Sequence, residues 1–400
     1  MIQQAYIVDI VRTPVGKFGG TLASVRPDDL AAHVIRELIN RNPQLSAELI
    51  EDVIFGAANQ AGEDNRNVAR MAGLLAGLPM QTGGITVNRL CASGLQSIMD
   101  ASRSVMLGEG AAYIAGGVES MTRAPFVTAK SDQAFGRKVE SYDTTIGWRF
   151  INKQLAKMHH PYSMGETAEN VAEKWGITRE QQDEFAFNSQ LKYKKAHEAD
   201  KFKNEIVSIE VPQRKAPAIV FDKDEHPRFS PLEKLAALNP AFKESGTVTA
   251  GNSSGINDGA AASLVVNEET VKKYNLTPLA RVASVAIAGV DPAYMGIGPV
   301  PATQKAIKRA GITINDLDLV ELNEAFAAQS VACMNDLELN PDIVNVNGGS
   351  IAIGHPLGAS GTRISATLIH EMRKRDNVKY GLATMCIGVG QGAAIVYEKV

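Results

Sequence analysis

Cysteine is scarce in this chain: three residues in 400, at positions 91, 333 and 386. They are odd in number, far apart and never form a C-x-x-C pair, so neither a disulfide framework nor a standard zinc module is indicated. The pattern reads as a reducing, cytoplasmic setting. Surplus charge is lacking too, because 41 Lys and Arg stand against 44 Asp and Glu, a formal −3. Nothing therefore pulls the chain globally toward nucleic acid or an acidic membrane surface. No apolar run is long enough to span a bilayer. The opening segment Ala5–Val11 alternates like a strand without a basic leader, and the closing Tyr397-Glu398-Lys399-Val400 carries no peroxisomal or retention address. What is present is an ordinary globular composition with 35 glycines, long enough for two or three domains.

The first chemistry lies in V-N-R-L-C-A-S-G, residues 87–94. Ile85-Thr86-Val87 reads as the end of a β-branched strand, and apolar residues recur at helical spacing from Ala92 to about Leu107. Cys91 is thus placed on a strand-to-helix elbow, where free N–H groups and the helix dipole favour a thiolate. A buried structural thiol is the plainer alternative.

The rest of the first third supplies a helix over 27–41, a strand over 52–55, a helix over 65–76 and, after the elbow helix, a strand over 112–115 leading into G-G-V-E-S-M. The last third replays that order. A helix over 302–310 precedes a strand ending at Leu322 and N-E-A-F-A-A at 323–328; a strand over 343–346 then enters G-G-S-I-A-I-G-H-P-L-G. A helix over 359–375 and strands over 381–386 and 393–397 close the chain. N-D-G-A-A-A-S-L-V-V at 257–266 is the upstream counterpart of the final strand, which makes residues 122 to about 250 a long excursion. It holds both tryptophans and a long helix begun by Thr178-Arg179-Glu180-Gln181. Strands alternating with helices in both parts predict an α/β architecture of two similar halves.

Three further places carry chemistry. His355 sits in G-H-P-L-G-A-S-G, at the position equivalent to the Cys91 elbow; taken alone it reads more plainly as a core or loop histidine with a local hydrogen bond, yet an imidazole able to pair with a thiol is what thiolate formation needs. Cys386 ends an apolar strand before Gly388, Gly390 and Gly392, whose G-x-G-x-G spacing followed by a strand does not match a nucleotide loop. Asn323 and Glu324 stand at a strand end, where α/β sheets present ligand-facing groups, although Asn323 could equally cap a helix. The segment T-A-G-N-S-S-G-I-N-D-G at 249–259 offers hydroxyls and free N–H groups, or plain turns. A zinc site from Cys91, His355 and Cys386 is disfavoured by the absence of local ligand pairs, and Cys333 reads as a packed helix residue.

Together N-R-L-C-A-S-G-L-Q, G-G-V-E-S-M, T-A-G-N-S-S-G-I-N-D-G-A-A, N-E-A-F-A, N-G-G-S-I-A-I-G-H-P-L-G-A-S-G and C-I-G-V-G-Q-G resemble the thiolases, in family order and nearly end to end. The resemblance implies duplicated βαβαβαββ halves in a five-layer α/β/α/β/α fold. The first half would comprise residues 1–121 plus 255–275, an inserted CoA-binding loop domain 122–254, and the second half 276–400. It implies Cys91 as the acylated nucleophile, His355 as its activator and Cys386 as the acid/base at the acetyl-CoA methyl carbon. Backbone N–H groups of Cys91 and Gly388 would hold the thioester oxygen, and His355 with a water on Asn323 the enolate. Arg228, Ser254 and Met164 would contact CoA, a substrate rather than a resident cofactor, with no metal; Met164 could instead be plain packing. A homodimer or homotetramer is implied, with no nucleic-acid or membrane partner.

Within the family, A-G-E-D-N-R-N-V-A-R-M and D-T-T-I-G-W-R-F look like the 3-oxoadipyl-CoA thiolases. C-A-S-G and S-M-G-E depart from that subgroup's C-G-S-G and S-M-P-E, and K-M-H-H-P-Y before Met164 is unfamiliar. A dicarboxyl acyl chain would need a cation for its far end, with Arg149, His159 or His160 as candidates. The implied activity is CoA-dependent cleavage of a 3-oxoacyl-CoA to acetyl-CoA and a shortened acyl-CoA. The alternatives are an acetoacetyl-CoA (biosynthetic) thiolase, a decarboxylating condensing enzyme, which Cys386 argues against, and a non-catalytic CoA or lipid binder.

Overall fold

The computed structural model describes residues 3–400. Nine strands form the main sheet: β1 (Ala5–Arg12), β2 (Ile50–Gly56), β3 (Gly83–Val87), β4 (Ala112–Ser120), β5 (Asn257–Asn267), β6 (Ala280–Gly289), β7 (Leu319–Leu322), β8 (Tyr380–Ile387) and β9 (Gln391–Lys399). Their order is β7-β8-β9-β6-β1-β5-β4-β2-β3, with Gly16–Lys17 adding a short tenth strand against β5. The eight principal helices are α1 (Pro27–Arg41), α2 (Val68–Ala76), α3 (Ser93–Leu107), α4 (Met164–Trp175), α5 (Arg179–Glu198), α6 (Pro299–Ala310), α7 (Ala327–Asp336) and α8 (Leu357–Lys374).

The side-chain period of two divides the core into layers. On β2, Val53 and Phe55 face a cluster with Leu30, Val34 and Ala72 from α1 and α2, whereas Ile54 faces Leu95, Ile98 and Ile364 from α3 and α8. On β9, Ile395 and Tyr397 join that central cluster, and Ala394 and Val396 meet Val300, Ala306 and Cys333 from α6 and α7. The result is five layers: α1 and α2, the first half-sheet, α3 and α8, the second half-sheet, α6 and α7. Among the described residues, the half-sheets touch as strands only where Tyr6 and Ile7 of β1 pair with Arg281 and Ala280 of β6.

The duplication extends to the irregularities. β1 pairs antiparallel with β5 and shifts register between Ile7 and Asp9; β6 pairs antiparallel with β9 and shifts between Val282 and Ser284. β4 lies parallel to β2, as β8 does to β7. One expected element is missing. Ile343–Val346 is no ladder strand: residues 341–343 form a 3-10 turn, and only Val344 bridges Val320. Asn345 takes φ +45°, and its carboxamide pairs with the Leu322 N–H and C=O at 2.9 and 2.8 Å. A side chain there does the work of a strand's peptide group.

The stretch between β4 and β5 carries α4, α5 and two small hairpins, and buried charge latches it to the core. Arg12, 0 % exposed at the end of β1, meets Glu205 at 2.6 Å and Asp224 at 2.7 Å. Removing one member of such a buried pair costs about 3–5 kcal/mol.

Candidate active site

The Cys91 elbow is held by its own side chains. Between β3 and α3 the chain makes a 3-10 turn over Leu90–Ala92. Asn88 Oδ1 accepts the Leu90 N–H at 2.8 Å, and Ser93 Oγ accepts from the Arg89 N–H at 2.9 Å while donating to the Leu90 carbonyl at 2.7 Å. Leu90 sits at φ +47°, a left-handed conformation that a bulky side chain enters only under constraint. Cys91 follows, partly exposed.

Two backbone N–H groups, from Cys91 and Gly388, point at the Cys91 sulfur and pull its pKa down, but desolvation outweighs them and lifts the thiol to about 11. The thiolate favoured by the elbow's position is therefore not the resting state: burial overrides the helix start. Cys386, 1 % exposed near the end of β8, is raised well above the ordinary thiol value by burial and then by the neighbouring Cys91. Both sulfurs rest as thiols.

Gly388 begins the turn from β8 to β9. A Cβ added there would lie 3.2 Å from Leu90 and 3.3 Å from the Met164 sulfur, so Met164 leans over the glycine that faces Cys91. Met164 also packs into the cluster of Cys386, Phe326 and Val248. Val389, next in the turn, holds φ +62°, an outlier for a β-branched residue.

His355 is 5 % exposed in the turn before α8. Desolvation first, and then the Arg363 charge, lowers its pKa to about 3, so the ring is neutral. Its tautomer follows from its neighbours. Ser360 Oγ donates to the Pro356 carbonyl at 2.8 Å, and with its one proton committed it accepts from His355 Nδ1 at 2.6 Å. Nε2 is then unprotonated, 3.5 Å from Asn323 Nδ2. The two elbows touch, since Thr362 Oγ1 donates to the Gly94 carbonyl at 3.0 Å.

A cavity of about 350 Å³ opens over Cys91, walled by Leu90, Glu119, Arg149, Met164, Leu357 and Gly388 among others. Larger clefts, about 620 Å³ beside Arg26 and Arg123 and about 490 Å³ beside Arg41 and His370, contain none of the cysteines. Arg149 Nη2 donates to the Asn59 carboxamide oxygen at 3.1 Å. His159 and His160 stand apart in a small hollow behind Trp148. Arg228 and Ser254 are not in the cavity wall: Arg228 Nη2 donates to the Ala250 carbonyl at 2.7 Å, and the Ser254 N–H donates to Ala325 O at 3.0 Å. Among the described residues, no group of three or more His, Cys, Asp or Glu could hold a metal ion, and no helix is long and apolar enough to cross a membrane.

Glu119 was missed in the sequence, where its only signal is an acid within the apolar run of β4. Its buried carboxylate accepts N–H bonds from Ala58 at 2.9 Å, Asn59 at 3.2 Å and Gly358 at 2.8 Å. Burial nevertheless pushes its pKa up to about 7.

A family model of the thiolase N-terminal domain matches residues 5–269, and one of the thiolase C-terminal domain matches residues 276–399. The chain is 52% identical over 402 residues to the 3-oxoadipyl-CoA/3-oxo-5,6-dehydrosuberyl-CoA thiolase of Escherichia coli (strain K12), covering 100% of both. It is also 52% identical over 402 residues to a beta-ketoadipyl-CoA thiolase of Acinetobacter baylyi, again with 100% of both covered. Among solved structures it is similar to human mitochondrial 3-ketoacyl-CoA thiolase in complex with CoA. That match has TM-score 0.92 and 41% identity, over 100% of this chain and 98% of that one.

Proposed function

This chain belongs to the thiolase family, and from that premise we propose that it cleaves 3-oxoadipyl-CoA with CoA, through an acyl group carried on Cys91. The enzyme is an acyltransferase that converts a 3-oxoacyl-CoA to acetyl-CoA and a shortened acyl-CoA. The reading is supported chiefly by one observation: the Cys91 elbow, the Gly388 turn and the Arg149 loop border a single cavity.

The protonation states suit the steps. Cys91 rests as a thiol, and the bare Nε2 of His355 is the base that takes its proton. The sulfur adds to the C3 ketone, and the oxyanion meets the N–H groups of Cys91 and Gly388; each such donor lowers a barrier by about 3 kcal/mol. As the C2–C3 bond breaks, the electron pair passes into the acetyl-CoA enolate, facing His355 and Asn323. The Cys386 thiol protonates C2 and releases acetyl-CoA. The Cys386 thiolate then takes the proton from incoming CoA, whose sulfur displaces Cys91 from the acyl group, and His355 returns the proton to Cys91. Two thiols and one neutral imidazole are restored.

For a 3-oxoadipyl chain the far carboxylate needs a cation in the cavity. Of the three candidates only Arg149 is in its wall, and among the described residues no acid forms an ion pair with it. Charge-assisted hydrogen bonds of this kind contribute about 1.5–3 kcal/mol. Arg149→Met is therefore expected to lower kcat/KM for 3-oxoadipyl-CoA by roughly 10–150-fold and for acetoacetyl-CoA by less than about threefold. Equal losses on both substrates, or none on either, would remove the dicarboxylate reading.

We assign Met164, and less directly Arg228 and Ser254, to CoA, and retain 1–121 plus 255–275, 122–254 and 276–400 as the units. A homodimer or homotetramer is supported by the edge strand β3, whose Ile85 is 48% exposed near the exposed Leu74, Leu75 and Met80. The free thiols fit a cytoplasmic setting.

A further inference from the structure

Behind His355 and Asn323 the polar chain continues into the protein. Asn323 Oδ1 accepts from Ser350 Oγ at 2.6 Å, Ser350 accepts from Arg363 Nη2 at 2.5 Å, and Arg363 Nη1 stands 3.7 Å from Glu321 Oε2. All four side chains are buried. A guanidinium can only donate, so the Ser350 oxygen accepts from Arg363 and its single proton goes to Asn323. Asn323 then has only its amide nitrogen left to turn toward His355 Nε2, at 3.5 Å.

We propose that Arg363 and Ser350 are positioning residues that lock the Asn323 carboxamide, so that its N–H groups, and not its oxygen, face His355 and the reacting enolate. The proposal rests on the assignment of Asn323 and His355 given above. With the carboxamide reversed, its oxygen would meet the bare Nε2 as acceptor against acceptor and would repel an enolate oxygen. A hydroxyl at 350 sets the orientation, and a methyl group there would leave it free.

The remaining hydrogen bonding supports this role. Arg363 makes a single side-chain hydrogen bond among the described residues, the one to Ser350; its Nε has no hydrogen-bond partner, and its Nη1 and Glu321 Oε2 face each other at 3.7 Å, beyond hydrogen-bond distance. A purely architectural buried arginine would be expected to satisfy those groups. Its charge also faces His355 and opposes protonation there, which is the second cause of the depressed imidazole value. Around Arg363 stand Glu321, Arg12, Glu205 and Asp224; Glu321 in turn faces Glu324, Glu205 and Lys192.

The test compares Ser350→Ala, Ser350→Thr and Asn323→Ala by thiolysis kinetics, methyl-proton exchange of acetyl-CoA in deuterated water, and Cys91 acylation followed by intact mass. Ser350→Ala is expected to lower kcat and methyl exchange together by roughly 10–100-fold, with KM and Cys91 acylation within about threefold. Ser350→Thr, which keeps the hydroxyl, should recover most of the loss. Arg363→Lys keeps the charge without the fork and should show the same split, with the acid limb of the kcat profile unmoved. Wild-type kcat in a natively melting Ser350→Ala overturns the proposal, as does an equal fall in acylation and exchange. Should Asn323→Ala also turn over normally, the assignment of Asn323 falls with it; a slow Asn323→Ala beside a normal Ser350→Ala removes the relay alone.

Discussion

The two halves share strand order, strand directions and even the position of a bulge, yet their elbows have opposite characters. In the first half β3 runs five residues beside β2 before the chain turns to Cys91, which keeps partial access to solvent. In the second, the equivalent stretch leaves β7 after the single Val344 bridge, and the turn sinks until His355 is 5 % exposed. The helices that follow cross with almost nothing between them: a Cβ on Gly94 would lie 2.7 Å from the Gly358 oxygen, and one on Gly361 2.1 Å from the Leu95 nitrogen. Duplication thus brings two helix starts together, and divergence leaves the one with Cys91, the proposed nucleophile, partly open and the one with His355, the proposed base, dry.

The severest test of that division removes one sulfur at a time. Cys91→Ala should abolish thiolysis, at least about 10³-fold, and leave no acyl adduct on the protein. Cys386→Ala should suppress carbon–carbon cleavage by about 10²–10⁴-fold while Cys91 is still acylated by acyl-CoA, as seen by intact mass. If Cys386→Ala leaves thiolysis intact, the acid role belongs elsewhere.

Next in size is an opposition in pH dependence. His355 falls from 6.5 to about 3 on folding, so below pH 6.5 the unfolded chain binds a proton that the folded one refuses. Its penalty grows as pH falls toward 3, by about 1.4 kcal/mol per pH unit for one group. Glu119 rises from 4.5 to about 7, so the folded chain holds a proton that the unfolded one has lost, and its contribution fades as pH rises through 7. Denaturant unfolding should show His355→Gln losing about 2 kcal/mol less than wild type between pH 7 and pH 5. Glu119→Gln should remove the loss of stability that this carboxyl causes between about pH 4.5 and pH 7. Parallel curves for His355→Gln and wild type would mean that the second elbow is not dry.

Much of this contrast was readable in the sequence because apolar period and glycine placement are local. The helix over 27–41 and the Cys91 elbow came from spacing alone. The strand over 343–346 did not form, because alternation cannot show that Asn345 turns left-handed and offers its carboxamide to Leu322. The resting thiol at Cys91 was equally hidden: a helix start is visible in sequence, the depth of burial that outweighs it is not. Glu119 and the Ser350–Arg363 pair escaped for the same reason. Glu119 meets Gly358 across 239 residues, and Ser350 meets Asn323 and Arg363 across 27 and 13, separations that no local period reads.

The smallest expected effect falls on the third cysteine. Cys333 lies on α7 in the outer layer of the second half, 0 % exposed, with its sulfur donating to the Gly296 carbonyl at 3.2 Å. It touches neither elbow, so its thiol fills volume and takes part in two weak hydrogen bonds, the second accepted from Gln329 Nε2 at 3.8 Å. Cys333→Ala should cost about 1–1.5 kcal/mol in unfolding free energy through the small cavity left behind, with kcat and KM within about twofold of wild type. Iodoacetamide on the native enzyme should mark Cys91 well before Cys333, since reaction needs both access and a thiolate. A large loss of turnover in Cys333→Ala would show the outer layer of the second half to be coupled to catalysis, and the division of labour between the two elbows would no longer account for the enzyme.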